Sequence, residues 1–66
     1  MGWYSLYIEG NNPNDVVVTV VHAQSMDDAK AKAKGIGEDR DAYGFDVHGP
    51  FETYTEACKE LKCMLD

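Results

Sequence analysis

The sequence predicts an α+β fold, a single ββαβα domain over residues 1–66 in which two helices cover one face of a three-stranded sheet. Three observations predict it: segments in which apolar and polar residues alternate, a β-branched run, and two helix-capping signatures that precede apolar residues at helical spacing. The chain has 66 residues, and globular domains mostly run from about 50 to 250 residues, so it has room for one domain.

The first two strands are predicted from residues 3–9 and 16–21. In the first, Tyr4, Leu6 and Ile8 share one face. The second is almost entirely valine, and residues 10–15 between the two are nearly all turn formers, so the pair forms a hairpin. Because apolar residues occupy both faces of the second strand, it is expected at the centre of the sheet, or with its second face against another layer.

The first helix is predicted to begin at Ser25, which forms a variant capping box with Asp28, and to end at Gly35 and Gly37. Alternation at Tyr43, Phe45 and Val47 predicts a third strand that Gly49 and Pro50 close.

Thr53 and Glu56 form a second capping box, which predicts the start of the last helix. Its apolar face consists of Tyr54, Ala57, Cys58, Leu61, Met64 and Leu65. Because the third strand lies between the two helices in sequence, both helices are expected on the same face of the sheet.

Twelve acidic and six basic residues give a net charge of −6. This balance disfavours direct binding to nucleic acid or to a membrane surface, since both partners require clustered lysine and arginine. The chain lacks an apolar run near the roughly 18 residues of a membrane span, and its N-terminus lacks a signal-peptide pattern. A soluble, cytoplasmic protein is expected.

Neither a catalytic motif nor a metal motif is recognisable, so we expect no enzyme activity, no cofactor and no metal. Cys58 and Cys63 point about 140° apart on one helix and cannot bridge each other within it. His22 and His48 do not lie at zinc-ligand spacing from them. A small redox or metal protein that uses Cys63 with a histidine remains an alternative.

The excess of carboxylates lies mainly in the second half of the chain. The candidate partner-binding residues are Glu38, Asp39, Asp41, Asp46, Glu52, Glu56 and Glu60. Several carboxylates on a rigid scaffold can complement arginine and lysine pockets, so they predict a protein partner with a basic surface, and binding that weakens with salt. The alternative is that these charges only keep a small protein in solution.

A second candidate interface lies on the sheet face that the helices are expected to leave bare. Trp3, Tyr7 and His48 fall on that face together with one side of the valine strand, and an aromatic patch of this kind predicts a homodimer. In the alternative, Trp3 and Tyr7 complete a thin core.

Residues 47–53, Val-His-Gly-Pro-Phe-Glu-Thr, followed by Glu56 and Ala57, resemble part of the SPOR-type peptidoglycan-binding repeat, within a similarity that spans residues 43–65. The order of elements differs from that repeat, so no glycan-binding role is transferred to any residue. The chain also looks like small acidic phage-encoded inhibitor proteins. That resemblance implies an inhibitor from a phage or mobile element, of a DNA-mimic or anti-CRISPR type, that acts on a nucleic-acid-handling host protein.

Overall fold

The computed structural model describes residues 1–10, 15–39, 42 and 44–65, with the backbone alone for Met64 and Leu65. The elements are β1 (Gly2–Glu9), β2 (Val16–Ala23), α1 (Met26–Glu38), β3 (Gly44–Phe51) and α2 (Tyr54–Leu65). The predicted α+β class and the ββαβα order are therefore confirmed.

The three strands form an antiparallel sheet in the order β2-β1-β3. β1 pairs with β2 without interruption, from Gly2 opposite Ala23 to Glu9 opposite Val16. On its other side β1 pairs with β3, and the register shifts between Trp3 and Ser5. The shift lies opposite Gly49 and Pro50, whose peptide bond is cis. β3 continues past these predicted closing residues to Phe51, which pairs with Trp3.

The central strand is β1, whereas the valine pattern favoured β2 for that position. β2 lies at an edge, and its apolar residues face two ways because α1 and α2 both contact it. The other reading of the pattern, in which the second face of β2 meets another layer, is confirmed.

The two helices lie on opposite faces of the sheet, so the expectation that both cover one face is wrong. Tyr4, Leu6 and Ile8 form the core with Ala29 and Ala33 of α1. The side chain of Ser5 points the other way and contacts the backbone of Ala57 in α2. Neighbouring side chains of a strand alternate between faces, so the sheet lies between the helices.

The dimensions of the molecule agree with three layers. Its Cα atoms extend over 32 × 24 × 11 Å. The shortest extent is close to the width of three strands spaced about 4.7–4.9 Å apart, so the helices and the sheet stack along a longer axis. Each face of this narrow sheet is wide enough for one helix, which explains why the second helix takes the second face.

In both predicted capping boxes the cap residue accepts the expected hydrogen bond, and the carboxylate three residues later bonds the residue before the cap instead of the cap itself. Ser25 Oγ accepts a 3.2 Å hydrogen bond from the backbone N–H of Asp28, and Thr53 Oγ1 accepts one of 3.1 Å from that of Glu56. The predicted end of α1 is wrong, because Gly35 and Gly37 lie inside the helix. Gly37 is buried there, where an added Cβ would lie 3.1 Å from the Cβ of Ala42.

Candidate functional site

One side of the molecule, where β3 meets α2, gathers four of the predicted partner-binding residues. We call this surface the acidic seam, and it consists of Asp46, Glu52, Glu56 and Glu60. Asp46 lies on edge strand β3, opposite Tyr7, and its side chain is exposed on the α2 side of the sheet. Glu52 lies in the short connection from β3 to α2 and is also exposed.

His48 joins the strand part of the seam to the helix part. Its Nδ1 atom lies 2.9 Å from Oε1 of Glu60, and both side chains remain partly accessible to solvent. Asp46 is two residues earlier on the same strand face, about 7 Å away at the usual strand rise. The contact therefore places Glu60 of α2 beside the strand face that carries Asp46 and His48.

Glu56 has a structural role as well as a charge. Its Oε2 accepts a 3.3 Å hydrogen bond from the backbone N–H of Glu52, the residue before the cap residue Thr53. This bond fixes the path of the chain from β3 into α2 and holds the two acidic residues close together.

The helical geometry places the two lysines of α2 differently relative to the seam. Glu56 and Glu60 are one turn apart and share a side of the helix. At 100° per residue, Lys59 lies about 60° from Glu56 and about 100° from Glu60, whereas Lys62 lies about 120° and 160° from them. Lys59 therefore borders the seam as an i,i+3 neighbour of Glu56, and Lys62 points away from it.

The remaining predicted acidic residues do not join the seam. Glu38 is the last residue of α1 and Asp39 is its C-cap, both exposed, and α1 lies on the opposite face of the sheet. Asp41 lies outside the described residues. The structure thus divides the predicted acidic residues that it describes between the α1 side and the α2 side of the sheet.

The predicted bare sheet face, with Trp3, Tyr7 and His48, is covered by α2. Ser5, between Trp3 and Tyr7, is fully buried beneath Ala57. Trp3 and Tyr7 are half-buried, and His48 is exposed near the sheet edge. The expectation of a bare face is wrong, and the alternative in which Trp3 and Tyr7 complete a thin core agrees with the structure.

An aromatic cluster at one end of this layer was missed by the sequence patterns. The ring of Trp3 lies 4.8 Å from that of His22 and 5.4 Å from that of Tyr54, the latter in an edge-to-face arrangement. Tyr54 is 56 % exposed although its spacing predicted a core position. A hydrogen bond with Cys58 raises the pKa of Tyr54 above its ordinary value of 10.0. Tyr54 is the first residue of α2, and its ring contacts Trp3 while more than half of the residue stays exposed.

An open groove of about 460 Å³ lies between the end of α1 and the start of β3. Its lining includes Lys34, Glu38, Gly44 and Phe45. Lys34 and Glu38 place opposite charges in the same opening.

The described part of the chain contains neither a candidate metal site nor a candidate membrane-spanning helix. Its His, Cys, Asp and Glu side chains form no group of three or more that could hold a metal ion. None of its helices combines the length and the apolar character needed to cross a membrane.

No family model, curated protein or solved structure matches this chain. The resemblance of residues 47–57 to SPOR-type repeats and the likeness to phage inhibitors therefore stay predictions.

Proposed function

We propose that the protein is a non-enzymatic binding module whose acidic seam engages a basic surface on a nucleic-acid-handling protein. The observation that supports this proposal is the contact between His48 and Glu60. It places α2, with Glu56 and Glu60, on the side of the folded scaffold where β3 carries Asp46. In this role the protein is an inhibitor from a phage or mobile element that presents phosphate-like charges to a host protein.

The chemistry of the seam suits arginine and lysine. Carboxylates form charge-assisted hydrogen bonds with both cations, and arginine can bind them in a bidentate manner. Asp46 and Glu52 are exposed, so they keep their hydration until the partner arrives. Complementary charges of this kind accelerate encounter and select the partner, and salt screens their effect.

The cysteines agree with action in the cytoplasm. Cys58 and Cys63 are both free thiols, and Cys63 is exposed. Free surface thiols are typical of reducing compartments, where nucleic-acid-handling proteins also work.

Two matched double variants test the seam. D46N/E52Q removes two seam charges, and E38Q/D39N removes two charges at the end of α1, so the net charge changes equally. All four side chains are exposed, which keeps the expected effect on folding small. Each immobilised variant is incubated with a bacterial lysate, and retained proteins are identified and compared with those that the wild type retains.

The proposal predicts a retained nucleic-acid-handling protein that duplex DNA displaces and that D46N/E52Q loses while E38Q/D39N keeps. Its affinity for the wild type should fall about tenfold or more between 0.05 and 0.5 M salt, because the Debye length shortens from more than 10 Å to a few Å. Equal loss in both variants, or an affinity that is independent of salt, would overturn the proposal.

A further inference from the structure

The outer edge of β2 is a sheet edge without the features that normally block pairing. Of the strands that the structure describes, β2 and β3 form the two edges of the sheet. β2 reads Val-Val-Val-Thr-Val-Val-His-Ala, with neither Asp, Glu, Lys nor Arg and no proline. Its register with β1 runs through all eight positions without a shift. Charges, prolines and bulges are the usual means by which proteins protect an edge, and β2 has none of them.

The other edge of the sheet, β3, has all three protective features: a charge, a proline and an irregular register. β3 contains Asp46 and Pro50, and its register with β1 is irregular between Trp3 and Ser5. Proline removes a backbone donor, and an irregular register bends the strand away from a flat edge. The two edges of one sheet therefore differ, and pairing is favoured at β2.

The backbone groups that β2 presents outward can be identified from the hairpin. The N–H of Gly10 donates a 2.8 Å hydrogen bond to the carbonyl of Asp15, which makes these two residues a hydrogen-bonded pair. Such pairs recur at every second position of an antiparallel ladder. Val17, Thr19 and Val21 accordingly bond to β1, while Val18 and Val20 direct their N–H and C=O groups outward.

The charge distribution favours a second copy of the chain as the occupant. Two chains with a net charge of −6 repel each other, and the acidic seam lies at the opposite edge of the sheet. An uncharged edge lets two copies approach with the least repulsion. Identical strands related by a twofold axis are also complementary to themselves.

We propose that β2 pairs with β2 of a second copy in antiparallel orientation, which forms a six-stranded sheet across the dimer. In a register centred on Thr19, Val18 lies opposite Val20 of the second copy, and Val17 lies opposite Val21. Cross-strand pairs of β-branched residues stabilise antiparallel sheets. The valine side chains from 17 to 21 are only half-buried in one chain, so a neighbouring strand covers apolar surface that is now accessible.

This interface uses the edge of β2, not the sheet face under α2. It also leaves the acidic seam free at the β3 side. Failure of the dimer and failure of partner binding at the seam are therefore separate results, because they involve different residues and different measurements.

Sedimentation equilibrium of the wild type and of the variants V18P and V18A tests whether β2 pairs with β2 of a second copy. Proline at position 18 removes an outward N–H that β1 does not use, and alanine shortens the side chain but keeps that N–H. The wild type and V18A should form dimers as the concentration rises to the millimolar range, and V18P should remain a monomer with the same circular dichroism. A wild type that stays monomeric at millimolar concentration overturns the proposal, as does a V18P that dimerises like V18A.

Amide hydrogen exchange of the wild type tests the same edge without a mutation. The amides of Val18 and Val20 should exchange about tenfold or more slowly once most of the protein is dimeric, because exchange then proceeds through the monomer. The amides of Val17 and Thr19, bonded to β1, serve as internal controls. They should exchange slowly both at low protein concentration, where the monomer dominates, and at high concentration, where the dimer dominates. Rates at Val18 and Val20 that do not change with concentration contradict the proposal.

Discussion

The hydroxyl of Ser5 donates a 2.6 Å hydrogen bond to the backbone carbonyl of Ala57, which is 52 residues away in the sequence. Ser5 is fully buried, and Ala57 is buried above it. The bond gives a buried polar side chain its partner and ties the central strand to α2. It also explains why a serine at this position is compatible with a helix packed on top of it.

Replacement of Ser5 by alanine should destabilise the protein. Loss of a buried hydrogen bond costs about 1–2 kcal/mol, and each kcal/mol lowers the Tm of a domain of this size by about 4–8 °C. Thermal unfolding of S5A measures the effect. The control is T55A, because Thr55 is exposed on α2 and its loss should change the stability by less than about 0.5 kcal/mol. Equal melting temperatures for S5A and the wild type would show that the bond does not stabilise α2.

Gly49 should tolerate no side chain. Its φ angle is 143°, and an added Cβ would lie 2.8 Å from Cδ2 of Tyr4 and 2.9 Å from the carbonyl oxygen of Trp3. We expect G49A to lose about 1–3 kcal/mol or more in urea unfolding, because backbone strain and close contact add together. Gly44, in the same strand, is the matched control: an added Cβ there meets nothing within 4 Å, so G44A should be neutral or slightly stabilising. A G49A protein as stable as G44A would contradict this explanation.

The sequence predicted those features that depend on neighbouring residues. The capping pairs Ser25 with Asp28 and Thr53 with Glu56 form bonds over three residues, so their local spacing is sufficient to predict them. Alternation along β1 predicted Tyr4, Leu6 and Ile8 as core residues for the same reason, and all three are buried. In each case the physical cause lies within one element.

The placement of α2 could not be predicted in this way. Ser5 reads as a polar residue of an exposed face, and only its distant contact with Ala57 shows that the face is covered. The acidic seam depends on the same placement of α2, since this helix must lie on the Ser5 side of the sheet for Glu60 to reach His48. Glu38 and Asp39 are near Asp46 in sequence, yet the sheet separates their helix from the α2 side. Proximity in sequence was therefore a poor guide to which carboxylates meet.

Alanine substitutions at Gly35 and Gly37 test whether α1 continues through these two glycines. An added Cβ at Gly35 meets nothing within 4 Å, and alanine is favoured over glycine inside a helix by about 0.8–1.0 kcal/mol. G35A should therefore be more stable than the wild type in urea unfolding. At Gly37 the added Cβ would lie 3.1 Å from Ala42 and 3.6 Å from Ile8, so G37A should gain less or lose stability. If G35A proves less stable than the wild type, α1 does not continue through this position in solution.

Hydrogen bonds to Asp28, in the first turn of α1, should make the stability of the protein depend on pH in the acid range. Its carboxylate accepts a 3.1 Å hydrogen bond from the backbone N–H of Gln24, and its two oxygens each accept one of 3.2 Å from Nζ of Lys32. The bond from Gln24, followed by that from Lys32, lowers the pKa of Asp28 below its ordinary value of 3.8. Because folding favours the charged form, this stabilisation is present above pH 3.8 and is lost as the pH falls through the lower folded pKa.

D28N should accordingly be less stable than the wild type at pH 7, and the difference should shrink as the pH falls below 3.8, where the wild type also loses the charge. Urea unfolding of both proteins between pH 7 and pH 2 measures this difference. D27N is the matched control, because Asp27 is exposed in the same helical turn and shares the favourable position near the helix N-terminus. A difference that stays constant with pH, or that equals the one found for D27N, would show that the bonds from Gln24 and Lys32 do not set the acid stability of α1.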